Sequence, residues 1–373
     1  LSLVEQISPR AASPQLQAPR KMALCYAGIV AAMAVTSPTK APPPAFTRQL
    51  DWFTQQMGGS INDALVFGES PMGIGHGVVA SRGVAAKERL FLVPGGACVS
   101  AACAVADPDI GEAARAYLVS CGFSRGGEGI VTAAMLALAR YEPSSAARAR
   151  FGPLADALPW GDGGDDDVDD DLAMHPILNG DAAMLGGEER LERARASARA
   201  VAEVLRGAAG GGVSVSDERC LRAITLVASR AFDLSPSFKE AAGSEGSHGT
   251  VQWATTMVPM LQNCNQPSLS GIRNAGEAAE RFRHSFFSSE SWKAGVHPKS
   301  GMFKLDAKWS HDAGADQPSL ENLEATAPSP GGLEAGEEVL IWYDDAGWGA
   351  STAEARMEGE LNFIAQYGFS PWR

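Results

Sequence analysis

The sequence predicts an α+β fold, a β-rich core interrupted by a helical insertion at about residues 105–230. Two observations carry this. Short β-type runs broken by turns stand at both ends, at 65–67, 78–80 and 90–93 early and in Val339-Leu340-Ile341 late. Between them, Ala-rich segments at 110–120, 130–141 and 145–157 place Leu, Met and Val mostly three and four residues apart, the period of an amphipathic helix. A chain of 373 residues, 45% of them hydrophobic, is long enough to bury a large core of this kind.

Taken in order, Phe46, Leu50, Trp52, Phe53 and Met57 share one face of an opening helix. A Gly-rich turn at 73–77 leads into the run 78–80. After the first three helices of the insertion comes an acidic stretch, 161–171, whose seven Asp show no fixed ligand spacing and read as a solvated loop. A long helix covers 187–206, with Glu189, Arg190, Glu192, Arg193 and Arg195 on its wet side, and the glycines of 207–212 end it. Ser216-Asp217-Glu218 caps a helix running through Ala231. Residues 233–250 read as a polar loop and 253–260 as β-like. The stretch 312–332, whose only large apolar residues are Leu320 and Leu323, reads as irregular. No internal repeat is visible.

Composition excludes several functions. The net charge is −13, but more than half of that excess sits in the Asp run, and a surface without clustered Lys and Arg does not suit nucleic acid. Lys-rich protein tails remain compatible partners. The six cysteines are scattered without a CxxC, and no His is placed to complete a zinc site, so no structural metal is expected and the thiols read as free. No Ser-His-Asp or Cys-His pattern points to a hydrolase.

Residues 6–50 contain no Asp or Glu but carry Arg10, Arg20, Lys21, Lys40 and Arg48. The apolar run 23–35 is too short to span a bilayer, suits a signal-peptide core and ends near Ala32-Met33-Ala34. Pro- and Ala-rich residues follow. Residues 1–45 therefore read as a targeting or disordered segment. Its acid-free composition suggests the plastid, with the cytoplasm as the alternative, and no stable membrane association is expected. The folded domain is assigned to 46–373.

Five islands in sequence order give the chain a family resemblance. They are Gly75-His76-Gly77-Val78-Val79-Ala80, with Ser81-Arg82-Gly83-Val84 and Leu90-Phe91-Leu92-Val93-Pro94 behind it; Leu158-Pro159-Trp160; Ser229-Arg230-Ala231-Phe232; Val258-Pro259-Met260 leading to Asn265; and the close, residues 336–343 followed by Tyr367-Gly368-Phe369. Together they resemble the SET-domain protein methyltransferases of the Rubisco large-subunit methyltransferase and actin-histidine methyltransferase type. The resemblance implies a SET core with a knotted-like C-terminal segment and a helical insertion. Some positions depart from the family. Asn265-Gln266 stands where the family has Asn-His, Gln262 stands at a family Asp, and Tyr367 follows Tyr343 by 24 positions, wider than usual.

The implied activity is methyl transfer from S-adenosyl-L-methionine to a lysine of a protein substrate. Transfer to a histidine is the alternative, and a catalytically degenerate protein-binding SET module is the rival. Such a reaction needs the amine, the methyl carbon and the sulfur held in line with water excluded. By resemblance, Tyr343 is the catalytic residue, its hydroxyl orienting the incoming amine. Gly75, His76, Gly77, Ser229, Arg230, Asn265, Gln266, Tyr367 and Phe369 would bind the cofactor. Gly75 and Gly77 allow close backbone approach, Asn265 and Gln266 offer amides, and Arg230 would pair with the cofactor carboxylate or an acidic neighbour.

Overall fold

The computed structural model describes residues 43–70, 76–161, 175–209, 212–232, 234, 255–265, 304–310, 319–327, 331–340 and 352–367. All of them fall in one compact unit, Pro38–Arg373. It is a mixed helix and strand fold. The opening helix α1 spans Pro44–Asp51 and continues as a π-helical turn, Trp52–Gln56. There follow β1 (Ser60–Ile61), β2 (Leu65–Glu69), β3 (His76–Ala80), β4 (Arg89–Pro94) and β5 (Val99–Ser100). Between β5 and β6 (Thr256–Met257) the described elements are all helical. They are α2 (Ala101–Ala106), α3 (Gly111–Ser120), α4 (Arg125–Tyr141), α5 (Ala146–Asp156), α6 (Pro176–Asn179), α7 (Glu188–Arg206) and α8 (Asp217–Arg230). The chain then adds β7 (Lys304–Ser310), β8 (Ser319–Thr326) and α9 (Ala353–Tyr367).

The largest sheet is antiparallel in the order β1-β4-β8-β7. Its inner strand β8 lies inside the stretch expected to be irregular, and that expectation is corrected. Leu320, Leu323 and Ala325 form the buried face of β8. The step from Leu320 to Leu323 is three residues rather than two, and the pairing with β7 shifts register there. A bulge hides the alternation that marks a strand, and an alanine does not look like core.

Helix α4 explains why the insertion packs as it does. Ala133, Ala134, Leu136, Ala137, Leu138 and Ala139 are all fully buried. A helix apolar on every side must sit inside a bundle, and α4 packs against α5, α7 and α8. The helix starts follow from local chemistry. Ser124, Ser145 and Ser216 accept hydrogen bonds from the backbone N–H groups of Gly127, Arg148 and Arg219 at 3.1, 2.9 and 3.3 Å, which satisfies donors that no helical carbonyl can reach. Asp156 locks α5 to α4 by accepting from Arg140 at 2.9 Å and Arg148 at 2.6 Å.

Helix α9 closes the described chain. Phe363 and Ile364 are buried, Arg190 on α7 pairs with Glu358 and donates to Asn362 at 2.8 Å, and α9 packs on α6 and α8. At this junction His175 caps α6, its Nδ1 accepting from the Ile177 N–H at 3.2 Å. Among the described residues, no helix is long and apolar enough to cross a membrane.

Candidate functional site

The site grows from β3. One edge of β3 pairs with β2, setting Glu69 opposite His76 and Gly68 opposite Gly77. The other edge receives residues 336–340. Gly336 N–H donates to Ala80 O at 2.7 Å, Ala80 N–H to Glu337 O at 2.8 Å, and Val339 N–H to Val78 O at 2.7 Å. Leu340 then lies beside Asn265 in a parallel bridge. The late segment thus sits between the early strand and the residue-265 turn, three regions that are remote in sequence.

Where these segments meet, a carboxylate is buried. Glu338 is 5% exposed. Its Oε2 accepts from Ser70 Oγ at 2.6 Å, and its Oε1 accepts from Asn265 Nδ2 at 2.7 Å. The second hydrogen of the Asn265 amide goes to His76 O at 2.9 Å. Burial raises the Glu338 carboxyl above its usual range, while the Ser70 and Asn265 hydrogen bonds pull the other way. The buried Cys264 thiol is raised as well, first by desolvation and then by the Glu338 charge.

Gly77 is required here for space. A Cβ at this position would fall inside the Glu338 carboxylate, and the Asn265 amide would stand only 2.9 Å away. The glycine of the His76-Gly77 pair is therefore explained by the carboxylate packed over it.

The end of α8 joins the same region by a different route. Arg230 Nη1 donates to the backbone carbonyl of Gln262 at 2.8 Å, so its described partner is neither an acidic neighbour nor a carboxylate. Ser229 Oγ donates back to Leu226 O within its own helix at 3.2 Å. The turn Leu261–Asn263 that Arg230 holds follows Met260, a non-glycine residue at φ 69, ψ −48. Backbone in that γ-turn region is strained and persists only where its surroundings hold it.

Of the residues singled out from the sequence, His76, Gly77 and Asn265 meet directly. Ser229 and Arg230 reach the same turn through Gln262. Tyr367 sits in the last turn of α9, its ring 4.5 Å from that of Phe363 and its hydroxyl accepting from Gln366 Nε2 at 2.8 Å. Gly75, Gln266, Tyr343 and Phe369 lie outside the described residues. Sequence reasoning missed Glu338 and Ser70. Gly336-Glu337-Glu338 reads as a turn before a strand, yet Glu338 already bridges to Val79 as strand. A charged residue within a β run was the available signal.

The donor inventory limits what can bind. Both hydrogens of the Asn265 amide are spent on protein acceptors, so toward a ligand its side chain can offer only Oδ1, an acceptor. With a carboxylate behind it, that acceptor suits a ligand presenting a hydrogen-bond donor or a positive charge. Arg230, a fixed cation with donors beyond the one used, suits an anionic group. Among the described residues no group of His, Cys, Asp and Glu is placed to hold a metal ion.

No protein-family model matches the chain, and no curated protein matches it. Among solved structures, the SET domain of LSMT bound to lysine and AdoHcy is 15% identical, with a TM-score of 0.48 over 88% of this chain and 57% of that one. Rubisco LSMT bound to sinefungin and monomethyllysine is 15% identical, with a TM-score of 0.48 over 88% and 56%. Rubisco LSMT bound to AdoMet is 14% identical, with a TM-score of 0.44 over the same shares. This chain thus spans little more than half the length of those proteins.

Proposed function

We propose that the chain is a SET-type protein methyltransferase using S-adenosyl-L-methionine, with lysine as the acceptor. The observation that carries this reading is the convergence of His76-Gly77, Asn265 and Glu338 from three separate regions on one point. These are two of the islands on which the resemblance rests, joined by a residue of a third. The cofactor supplies, when bound, a methyl group on a sulfonium that leaves as a neutral thioether. The chain's residues bind and orient it. Gly77 leaves room for the Glu338 carboxylate that holds Asn265, Asn265 Oδ1 offers an acceptor, and Arg230 offers donors to a carboxylate.

Tyr343 keeps the role the resemblance implies, orienting the acceptor amine. Lysine must first lose a proton, with an ordinary pKa of about 10.4. A dry aromatic channel beside a cation would lower that value without a strong general base. The domain limits 46–373 and a plastid destination for the segment 1–45 belong to the same reading, the latter resting on its acid-free composition.

The test is transfer of labelled methyl from the cofactor into proteins of a plastid extract, followed by amino-acid analysis. Methyl-lysine supports the reading, and methyl-histidine replaces the acceptor. Absence of label with wild-type protein that does bind cofactor moves the assignment to a protein-binding module. Tyr343→Phe should reduce turnover by about 10²-fold or more while leaving cofactor affinity largely intact.

A further inference from the structure

Helix α1 also reaches the turn that Arg230 holds. Gln49 is fully buried, and its Oε1 accepts from Asn263 Nδ2 at 3.2 Å across 214 residues of sequence. On the same helix Phe46 stacks on Phe67 at 5.8 Å and lies 6.3 Å from the His76 ring. Just beyond α1, Trp52 Nε1 donates to Arg150 O at 2.9 Å, which anchors this region to α5. The turn beginning at strained Met260 is therefore held by side chains from two helices, Arg230 of α8 on its Gln262 carbonyl and Gln49 of α1 on its Asn263 amide.

Stability does not account for Gln49. Among the described residues its Nε2 meets no hydrogen-bond partner, and a buried, half-satisfied amide costs free energy that an apolar side chain of the same shape avoids. We propose that Gln49 is a positioning residue. It holds Asn263, and through it the turn that presents Asn265, in the geometry the candidate site needs, and so couples α1 to that site. The inference rests on the methyltransferase reading for its functional consequence, but not for its structural one.

Gln49→Met separates positioning from packing. Expected are a melting temperature lower by a few degrees at most, since the cost at Nε2 disappears while the buried Asn263 amide loses its acceptor, amide exchange at residues 262–264 faster by about tenfold, and binding of S-adenosylhomocysteine weaker by about fivefold. If this variant does not fold, Asn263→Leu removes the same bond from the other side, with the same expected exchange. Unchanged exchange at 262–264 overturns the proposal whatever the cofactor titration gives. A lowered melting temperature with protection lost evenly over the molecule also overturns it, marking Gln49 as an ordinary core residue. If wild-type protein binds no cofactor, the methyltransferase reading falls, and the exchange measurement still decides whether Gln49 holds the turn.

Discussion

Asn265 Nδ2 donates to Glu338 Oε1 at 2.7 Å, joining residues 73 positions apart in sequence. The same nitrogen reaches His76 O, and the same carboxylate reaches Ser70. One buried acid and the Asn265 amide therefore tie Ser70 after β2, the first residue of β3 and the Asn265 segment into one node. Each consequence below follows from that node or from its supports.

Glu338 should be costly to stability and necessary to binding. Its folded-state pKa is raised by burial, so between its ordinary and raised values the folded protein holds more protons than the unfolded one. Its contribution to stability is present in full below the ordinary carboxylate pKa, is lost as pH rises through the raised value, and stays lost above it. Glu338→Gln keeps the shape and can still accept from Asn265. It should melt at or above the wild-type temperature at pH 7, while cofactor affinity falls. Melting curves at pH 5 and 7 check this, and the wild-type advantage should shrink toward neutral pH.

Gly77→Ala should damage both stability and binding. The added methyl displaces the Glu338 carboxylate, a buried clash of the kind that costs about 1–3 kcal/mol. Gly83→Ala is the control. Among the described residues its Cβ would meet only Leu333 O at 3.8 Å, so that variant should unfold within a degree or two of wild type in chemical and thermal melts.

His175 should set part of the acid sensitivity of the helical region. Burial pushes its imidazole down to about 4, a Gln366 backbone group pulling slightly the other way. The unfolded chain takes up a proton near pH 6.5 and the folded one only near 4. Stability therefore falls as pH drops through that window, by at most about 1.4 kcal/mol per pH unit. His175→Asn can still cap α6 and should flatten this limb between pH 6.5 and 4, as read by urea unfolding at stepped pH.

Much of the scaffold was legible in the sequence because its signals are local. Ser145 and Ser216 announce helix starts, and the three- and four-residue spacing around α4 marks a bundle. Strand β8 was not legible, because its bulge breaks the alternation and Ala325 carries part of the buried face. The π-helical turn after α1 was also missed, since Trp52 and Phe53 fit an α-helical face equally well. At the site, His76, Gly77 and Asn265 could be found as short motifs in order. Glu338 showed only as a charged residue within a β run, because what distinguishes it is burial beside Gly77, and burial of a charge is decided by residues hundreds of positions away. The Gln49–Asn263 bond was hidden for the same reason.

The most direct test of the central claim is a calorimetric titration of the full chain with S-adenosylmethionine or its demethylated product. The account predicts saturable binding at one site per chain, weakened at least about tenfold in Asn265→Leu. No detectable heat of binding at millimolar cofactor, or equal binding by wild type and Asn265→Leu, would contradict it.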